Sequence, residues 1–404
     1  MSPALLAVAL TAVAVLAPAC GGVDELEGLP PRAFAPAVPE GFFGINGQGL
    51  RPLAEHGELD TLDRHLAAIA AGGVDFVRAN NDWPREEPRP PADGKHSYEF
   101  AGLDAWVRAL ARHGLRWEVA VMGVPTPPWA ADAGAAKVCG SRAVPASADD
   151  VAALAGALAE RYGRRGSLWR QNPGLEYLPV TDYELWNEPN LGSFWCPIPD
   201  PPAYAQVAEA SADAILAVDP EATLILGGLA AFERTKVKGP GDAVMSTERF
   251  LRRALAAAPG LARKLDLIGA HAYGARPAGV LDRLAYQRSA IRAAGLGERP
   301  ISFNETGWYT SGLGPIAPLA EDERAAHLSE VTAAVASSDC GLDSFAPHTW
   351  ITREQQPANI EDWYGIADPQ TAQPYPTAVA YFEQVLLYEG RGPEPPPTDV
   401  VPIC

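Results

Sequence analysis

Short apolar segments alternate with longer amphipathic ones from residue 41 to residue 388. The apolar segments have the length of buried strands, and we predict strands over 42–46, 76–80, 117–122, 183–187, 224–228, 267–272, 301–304 and 344–347. The segments between them repeat apolar residues at intervals of three and four, which predicts helices over 59–71, 103–113, 149–162, 203–218, 247–258, 280–294, 321–337 and 376–388. Within 59–71, for example, Leu62, His65, Leu66 and Ile69 share one face.

Eight strands and eight helices in strict alternation are typical of a closed parallel barrel. We therefore predict an α/β fold, a (β/α)8 TIM barrel, with a single catalytic domain over 41–390 and a Pro-rich tail over 391–404. An open doubly wound sheet has the same alternation. Its dinucleotide-binding form needs a Gly-x-Gly-x-x-Gly turn after the first strand, and Gly44, Gly47 and Gly49 do not have that spacing.

The amino terminus has the pattern of an export signal. Residues 4–16 are apolar apart from Thr11, which is too short for a membrane-spanning helix but suits a signal peptide. Small residues at Ala17 and Ala19 precede Cys20, and the segment resembles a bacterial lipobox in which Cys20 is lipidated. We expect a signal peptide over 1–20 and an exposed Pro-rich tether over 21–40. The chain would then be a lipoprotein of the cell envelope or a secreted protein; the alternative is an ordinary buried helix.

Composition narrows the classes of partner. The chain has 404 residues, 47% of them hydrophobic and 20% charged, as in soluble globular proteins. Its 50 acidic and 32 basic residues give a net charge of −18, which disfavours binding to nucleic acids and anionic lipids. We expect membrane contact only through the lipid anchor, and a monomer.

Four cysteines are left when Cys20 is set aside, and an even number in an exported chain favours disulfides over free thiols. Cys139 and Cys196 follow the third and fourth predicted strands, so both lie at the same face of a barrel. Cys340 precedes the eighth strand and Cys404 follows the last helix, at the opposite face. We therefore predict the pairs Cys139–Cys196 and Cys340–Cys404.

Catalytic groups of such barrels lie at the carboxyl ends of the strands. The polar and aromatic residues at these positions are Arg78, Trp83, Thr126, Trp129, Asn187, Glu188, His271, Tyr273, Glu305, Trp308, His348 and Trp350. A glutamate is more often part of a surface ion pair, but Glu188 and Glu305 both end apolar runs. Two carboxylates in an aromatic-rich cleft suit glycoside cleavage, which needs a proton donor and a nucleophile or activated water.

These residues resemble the retaining glycosidases of glycoside hydrolase clan A. Asn187-Glu188-Pro189 at the fourth strand is similar to the clan's acid/base motif, and Glu305 at the seventh strand is similar to its nucleophile. Residues 125–130 resemble the third-strand loop of family 39, and His271-Ala272-Tyr273 resembles the sixth strand of family 5. The third strand lacks the histidine that family 5 members often carry, which favours a family 39-like assignment.

The resemblance implies a retaining hydrolase of O-glycosidic bonds that needs no cofactor and no metal. Glu305 would be the nucleophile and Glu188 the acid/base, with carboxyl groups about 5–5.5 Å apart. Asn187 would bind the sugar 2-OH, Arg78 and Tyr273 would keep Glu305 ionised, and His271 would orient Glu188, bind sugar or simply pack. Trp350 would form the floor of the sugar site or part of the core. The candidates for further sugar subsites are Trp129, Trp195, Trp308 and Trp363.

Other functions fit the same residues. The strand-end residues also fit a non-catalytic carbohydrate-binding lipoprotein, or a transglycosidase of envelope polysaccharides. They do not fit a metal-dependent barrel hydrolase, because His-x-His is missing after the first strand. Xylose, glucose, galactose and uronic acids are all compatible with the scaffold.

Overall fold

The computed structural model describes residues 29–237, 239–352 and 355–404. Eight parallel strands form one sheet in chain order. Strands β1 to β8 span Gly44–Asn46, Phe76–Asn80, Arg116–Val121, Asp182–Asn187, Thr223–Ala230, Leu267–His271, Ile301–Glu305 and Leu342–Phe345. The main helices α1 to α8 span Leu59–Ala71, Ala101–Arg112, Ala148–Tyr162, Pro201–Val218, Thr247–Ala257, Pro277–Ala293, Glu321–Ala336 and Pro376–Tyr388.

The first and last strands meet. Phe43 forms a parallel bridge with Phe345, and the Phe345 N–H donates to the Phe42 carbonyl over 2.8 Å. The sheet is thus a nearly closed barrel with a helix after each strand, which confirms the predicted (β/α)8 class. Strands β6 and β7 are buried along their whole length, as expected when helices cover the outside and side chains fill the inside.

Polar residues occupy one layer inside the barrel. Neighbouring strands pair Asn46 with Arg78 and Arg78 with Glu118, and His271 pairs with Glu305. Side chains that alternate along a strand point to opposite faces, so this register directs these groups inward together. The layer lies at the carboxyl ends of the strands.

The predicted boundaries differ from the observed ones by a few residues. Helices 59–71 and 376–388 have their predicted limits. The eighth strand, predicted over 344–347, ends at Phe345, since Pro347 has no N–H to donate to a strand ladder. Short helices were not predicted because one or two turns carry too little periodicity; they are Arg51–Glu55, Trp83–Glu86, Ala133–Cys139, Ser167–Gln171 and Leu261–Lys264.

The predicted signal peptide and Cys20 lie outside the described residues. Of the predicted tether, residues 29–40 are mostly exposed, but the N–H groups of Ala33 and Phe34 donate to the Gly390 carbonyl after α8. At the other terminus, Val401 donates its N–H to the Ser337 carbonyl over 2.8 Å. Within the described ranges, the helices are too short or too polar to cross a membrane.

Both predicted disulfides are present. The Cα atoms of Cys139 and Cys196 are 6.1 Å apart, and those of Cys340 and Cys404 are 5.0 Å apart. The first bridge joins the loops after β3 and β4 at the carboxyl-terminal face. The second holds the C-terminal tail against the start of β8.

We expect the Cys139→Ser/Cys196→Ser double variant to lose about 4 kcal/mol of unfolding free energy. The bridge spans 57 residues of sequence, and opening it returns chain entropy to the unfolded state. Urea denaturation monitored by tryptophan fluorescence measures the loss, with the Cys340→Ser/Cys404→Ser variant as a comparison. Four free thiols in peptide maps of unreduced, exported protein would contradict the pairing.

Candidate active site

A cavity of about 460 Å³ opens at the carboxyl ends of the strands. Six of the strand-end residues predicted from the sequence line it: Asn187, Glu188, His271, Tyr273, Glu305 and His348. Arg78, another of them, is fully buried and contacts two of the six. The structure therefore brings together residues from strands β2, β4, β6 and β7 that are up to 227 positions apart in the sequence.

Glu305 ends β7 and is surrounded by donors. Its Oε1 accepts from Arg78 Nη1 over 2.7 Å, and its Oε2 accepts from the Tyr273 hydroxyl over 3.0 Å. Burial raises the pKa of Glu305, but the neighbouring His271, Arg78 and His348 side chains and the Tyr273 hydroxyl outweigh burial and hold this pKa at about 2. The carboxylate is therefore ionised at neutral pH.

Glu188 follows β4 in a strained segment. The backbone φ angles of Trp186 and Glu188 are +84° and +41°, in the left-handed region that costs non-glycine residues about 1–3 kcal/mol each. The Glu188 N–H donates to the Gly228 carbonyl over 2.8 Å, and the Trp186 indole N–H donates to the Phe194 carbonyl over 3.0 Å. These bonds hold the turn that aims Glu188 into the cavity.

The environment of Glu188 favours its neutral form. Burial raises the pKa of Glu188, and the charge of Glu305 raises it further, while the hydrogen bond with His271 lowers it; the net direction is upward. The two glutamates therefore have opposite shifts. Burial thus favours the protonated form of Glu188, whereas the neighbours of Glu305 favour its anion.

His271 links the two carboxyl groups. Its Nδ1 lies 2.9 Å from Glu188 Oε1 and 3.3 Å from Glu305 Oε2. The ring fits because Gly228 on β5 has no side chain: a Cβ there would lie 2.0 Å from His271 Nε2. Any larger residue at position 228 would displace the imidazole.

Arg78 connects Glu305 to three buried polar residues, Asn46, Glu118 and Glu184, which we call the polar floor. Its Nε donates to Glu184 Oε2 over 2.6 Å, and its Nη1 donates to Asn46 Oδ1 over 2.8 Å. Its Nη2 donates to Asn187 Oδ1 over 2.8 Å, which leaves the amide nitrogen of Asn187 for a ligand. Glu118 Oε1 lies 3.7 Å from Arg78 Nε.

Three of these floor residues were not predicted as site residues from the sequence: Asn46, Glu118 and Glu184. The sequence does contain a signal for two of them. Glu118 and Glu184 each lie between apolar residues, inside strands that were predicted and are observed. A charged residue in the middle of a buried strand indicates a partner within the barrel.

The five tryptophans that were predicted to contact sugar do not line the catalytic cavity. Trp350 is fully buried, and its indole N–H donates to His65 Nδ1 over 3.0 Å, so it belongs to the core. Trp308 is also buried and donates to the Gly274 carbonyl over 2.7 Å. The other three lie outside the catalytic cavity as well. The Trp129 indole N–H donates to the Glu87 carbonyl, and Trp195 and Trp363 each line a separate cavity. The aromatic residues of the lining are Phe194, Phe232, Tyr273 and Tyr364.

His348 takes the place near the catalytic pair that was expected of Trp350. It lines the cavity, and its Nε2 lies 3.7 Å from Glu361 Oε2. Burial lowers the pKa of His348, but the carboxylates of Glu361 and Glu305 more than offset burial, so its pKa is raised. The two carboxylates therefore favour the positively charged form of His348.

Two groups of side chains have the ligand types of a metal site. One atom each of Glu188, His271 and Glu305 lie within 4.8 Å of one another, and Asp339 lies beside the bridged Cys340 and Cys404. The first group contacts the Arg78 guanidinium, a fixed cation 2.7 Å from Glu305 that would repel a divalent ion. The cysteines of the second are in a disulfide, so they offer no thiolate.

No protein-family model matches the sequence, and no curated protein matches it. The fold is similar to that of solved glycoside hydrolases. A monomeric β-xylosidase from Caulobacter crescentus CB15 superposes with a TM-score of 0.61 at 20% identity, over 88% of this chain and 70% of that one. A GH5_18 protein from Streptomyces cattleya gives 0.61 at 19% identity, over 90% and 83%.

A third structure, the exo-β-1,4-mannosidase Op5Man5 from Opitutaceae bacterium strain TAV5, gives a TM-score of 0.55 at 18% identity, over 87% of this chain and 60% of that one. Structures described as family 39 glycoside hydrolases are also among the neighbours, beside the GH5_18 protein, as the resemblance of the sequence predicts. At this identity the likeness establishes a glycosidase fold.

Proposed function

We propose that this protein is a retaining glycoside hydrolase that cleaves O-glycosidic bonds, β-linked, of an oligosaccharide or polysaccharide. One observation supports this most directly. Glu188 and Glu305 contact the same His271 nitrogen, and one oxygen of each lies within 4.8 Å of the other. That separation fits the 5–5.5 Å of retaining enzymes better than the roughly 6.5–9.5 Å of inverting enzymes, which must fit a water between the carboxyls.

The first step forms a glycosyl-enzyme intermediate. The Glu305 carboxylate attacks the anomeric carbon, the bond from that carbon to the leaving oxygen breaks, and Glu188 transfers its proton to that oxygen. In the second step Glu188, now a carboxylate, takes a proton from water, and the resulting hydroxide displaces Glu305 from the sugar. Glu188 ends protonated, so the cycle closes.

The surrounding residues have complementary roles in this proposal. Arg78 and Tyr273 stabilise the Glu305 anion through the bonds of 2.7 Å and 3.0 Å. Asn187 offers its amide nitrogen to the sugar 2-OH. His271 orients Glu188 through the 2.9 Å hydrogen bond.

We also propose that the protein is exported and anchored through lipidated Cys20. Two disulfides support this, since such bonds persist in oxidising compartments. Mass spectrometry of the mature N-terminus, with Cys20→Ser as control, would show the added acyl mass or refute it.

A panel of aryl β-glycosides and polysaccharides tests the proposed activity, with Glu305→Gln as the inactive control. Proton NMR of the first-formed product should show the β-anomer. An α-anomer would contradict retention, and binding without turnover on the whole panel would favour a non-catalytic carbohydrate-binding protein. Transfer to added sugar acceptors in place of hydrolysis would indicate a transglycosidase.

The two glutamates also predict the pH dependence of kcat/KM. Activity requires Glu305 ionised and Glu188 protonated. Because the pKa of Glu305 is about 2, no acid-side loss is expected above about pH 4. Activity should fall as pH rises through the raised pKa of Glu188.

Glu188→Gln separates this titration from that of His348. Assayed with a dinitrophenyl glycoside, whose leaving group needs no proton donor, this variant should lose the alkaline fall. An unchanged alkaline limb would assign the titration to another group.

A further inference from the structure

Two arginines line the catalytic cavity without a protein partner. Arg142 and Arg283 are exposed, and neither forms a hydrogen bond or ion pair within the part of the chain that the structure describes. The carboxylates of the lining do have contacts: Glu188 and Glu305 with His271, and Glu361 with His348. The charged side chains of the lining that have no protein partner, and can therefore bind a ligand, are thus positive.

A second cavity has a volume of about 520 Å³. Phe194 lines the catalytic cavity and the next residue, Trp195, lines the second. Arg249 and Arg253 on α5 line this second cavity, both exposed and both without a partner in the described ranges. Its one carboxylate, Asp200, already caps α4.

This arrangement does not serve helix stability. Arg249 and Arg253 lie one turn apart on α5, where like charges repel and destabilise a helix by a few tenths of a kcal/mol. Arg252, on the same helix, has instead the usual partner four residues earlier, Glu248, over 3.3 Å. Four unpaired guanidiniums along these two cavities also contrast with a chain whose net charge is −18.

The side chains that line the catalytic cavity also favour an anionic ligand over a neutral one. None of the five tryptophans expected to stack on neutral sugar rings lines it. The planar guanidinium fork matches carboxylates and other oxyanions with two parallel hydrogen bonds. Arg142 belongs to the loop after β3 and Arg283 to α6 after β6, so they approach the catalytic pair from different sides.

We propose that the substrate is an acidic glycan, with anionic groups on sugars bound near the scissile bond and beyond it. Arg142 and Arg283 bind anionic groups of the glycan in the catalytic cavity, and Arg249 and Arg253 bind the next anionic groups along the glycan. This inference rests on the proposed glycosidase function and names its substrate class. Uronic-acid carboxylates and sulfate esters share the required chemistry.

Binding to paired polymers tests the proposal. Hyaluronan is compared with its carboxyl-reduced form, and dextran sulfate with dextran, by calorimetry at low and high salt. We expect at least one charged polymer to bind about tenfold or more tightly than its neutral form, as for a charge-assisted hydrogen bond. The preference should shrink at high salt. The carboxylated and sulfated pairs identify which anion is preferred.

The variant Arg142→Gln/Arg283→Gln should lose that preference, and Arg249→Gln/Arg253→Gln should lose part of it for long polymers. Arg252→Gln/Arg292→Gln is the matched control, because it removes the same charge from exposed arginines that pair with Glu248 and Glu298. Equal loss in the control, or equal binding of charged and neutral polymers by the wild type, would overturn the proposal.

The outcome also separates this inference from the proposed function. Turnover of neutral aryl glycosides by the wild type, with no preference for charged polymers, would keep the hydrolase and refute the acidic substrate. Arginine-dependent binding of a charged polymer without turnover of any glycan would keep the acidic ligand and refute hydrolysis.

Discussion

Glu305→Ala is expected to abolish glycoside turnover, and Glu188→Ala to lower it by about 10²–10⁴-fold on substrates with poor leaving groups. The first change removes the group that forms the covalent bond. The second removes a proton donor and acceptor, for which an activated leaving group and an added anion can substitute. Steady-state kinetics on one activated and one unactivated glycoside, with and without azide, measures both effects.

Azide tests which glutamate has which role. In Glu188→Ala it should attack the glycosyl-enzyme and give a β-glycosyl azide, with the configuration of a β-linked substrate retained. In Glu305→Ala, azide could only replace the nucleophile and give the α-azide. A β-azide from Glu305→Ala and an α-azide from Glu188→Ala would show that the roles are exchanged. Matched circular dichroism spectra of the variants exclude misfolding as the cause.

The opposite pKa shifts of the two glutamates have different causes. His271 and the Arg78 guanidinium, which bonds to Glu305 over 2.7 Å and makes no bond to Glu188, lower the pKa of Glu305. Burial raises the pKa of Glu188, and the charge on Glu305 raises it further. Glycosylation of Glu305 removes that charge, so the pKa of Glu188 falls when the proposed mechanism needs a base.

The periodicity of the sequence predicted much of this architecture. Apolar spacing is a local property, and it located β2 and the helices at 59–71 and 376–388 to the residue. Because Glu188 and Glu305 were predicted at strand ends, they were also predicted to lie close together, since a closed barrel gathers the carboxyl ends of all its strands at one face.

The orientation of loop side chains could not be predicted in this way. Trp350 and His348 are two residues apart after β8, yet His348 lines the cavity and Trp350 bonds to His65 behind it. That choice depends on the path of the loop and on a partner 285 residues away. Which of the buried Glu118 and Glu184 pairs with Arg78 is likewise a tertiary property.

Glu184→Gln is expected to lower the free energy of unfolding by about 3–5 kcal/mol, the usual cost of breaking a buried ion pair. Glu184 is fully buried and accepts from Arg78 Nε over 2.6 Å and from the Gly228 N–H over 2.6 Å. An amide in its place leaves the fully buried Arg78 with one carboxylate fewer. Urea denaturation of the wild type and the variant measures the difference.

Glu118→Gln is the matched control, and its effect should depend on pH. Burial and the charge of Glu184 raise the pKa of Glu118 to about 8, although Arg78 opposes this, so the native carboxyl is neutral at pH 7. Glutamine has nearly the same shape and keeps the oxygen that accepts from Asn304 over 3.4 Å. At pH 5 the variant should therefore unfold with nearly the free energy of the wild type.

The two proteins should diverge as pH rises. In the unfolded wild type, Glu118 ionises near its ordinary pKa of 4.5, whereas in the native state it holds its proton up to about pH 8. The native state then binds more protons than the unfolded state, so the wild type loses stability between these pH values, while the glutamine variant has no such group and does not. Glu118→Gln should thus exceed the wild type in unfolding free energy at pH 8, where Glu184→Gln is still destabilised. If Glu118→Gln costs as much as Glu184→Gln at pH 8, Glu118 carries a charge that Arg78 needs, and the assignment of the proton to Glu118 is wrong.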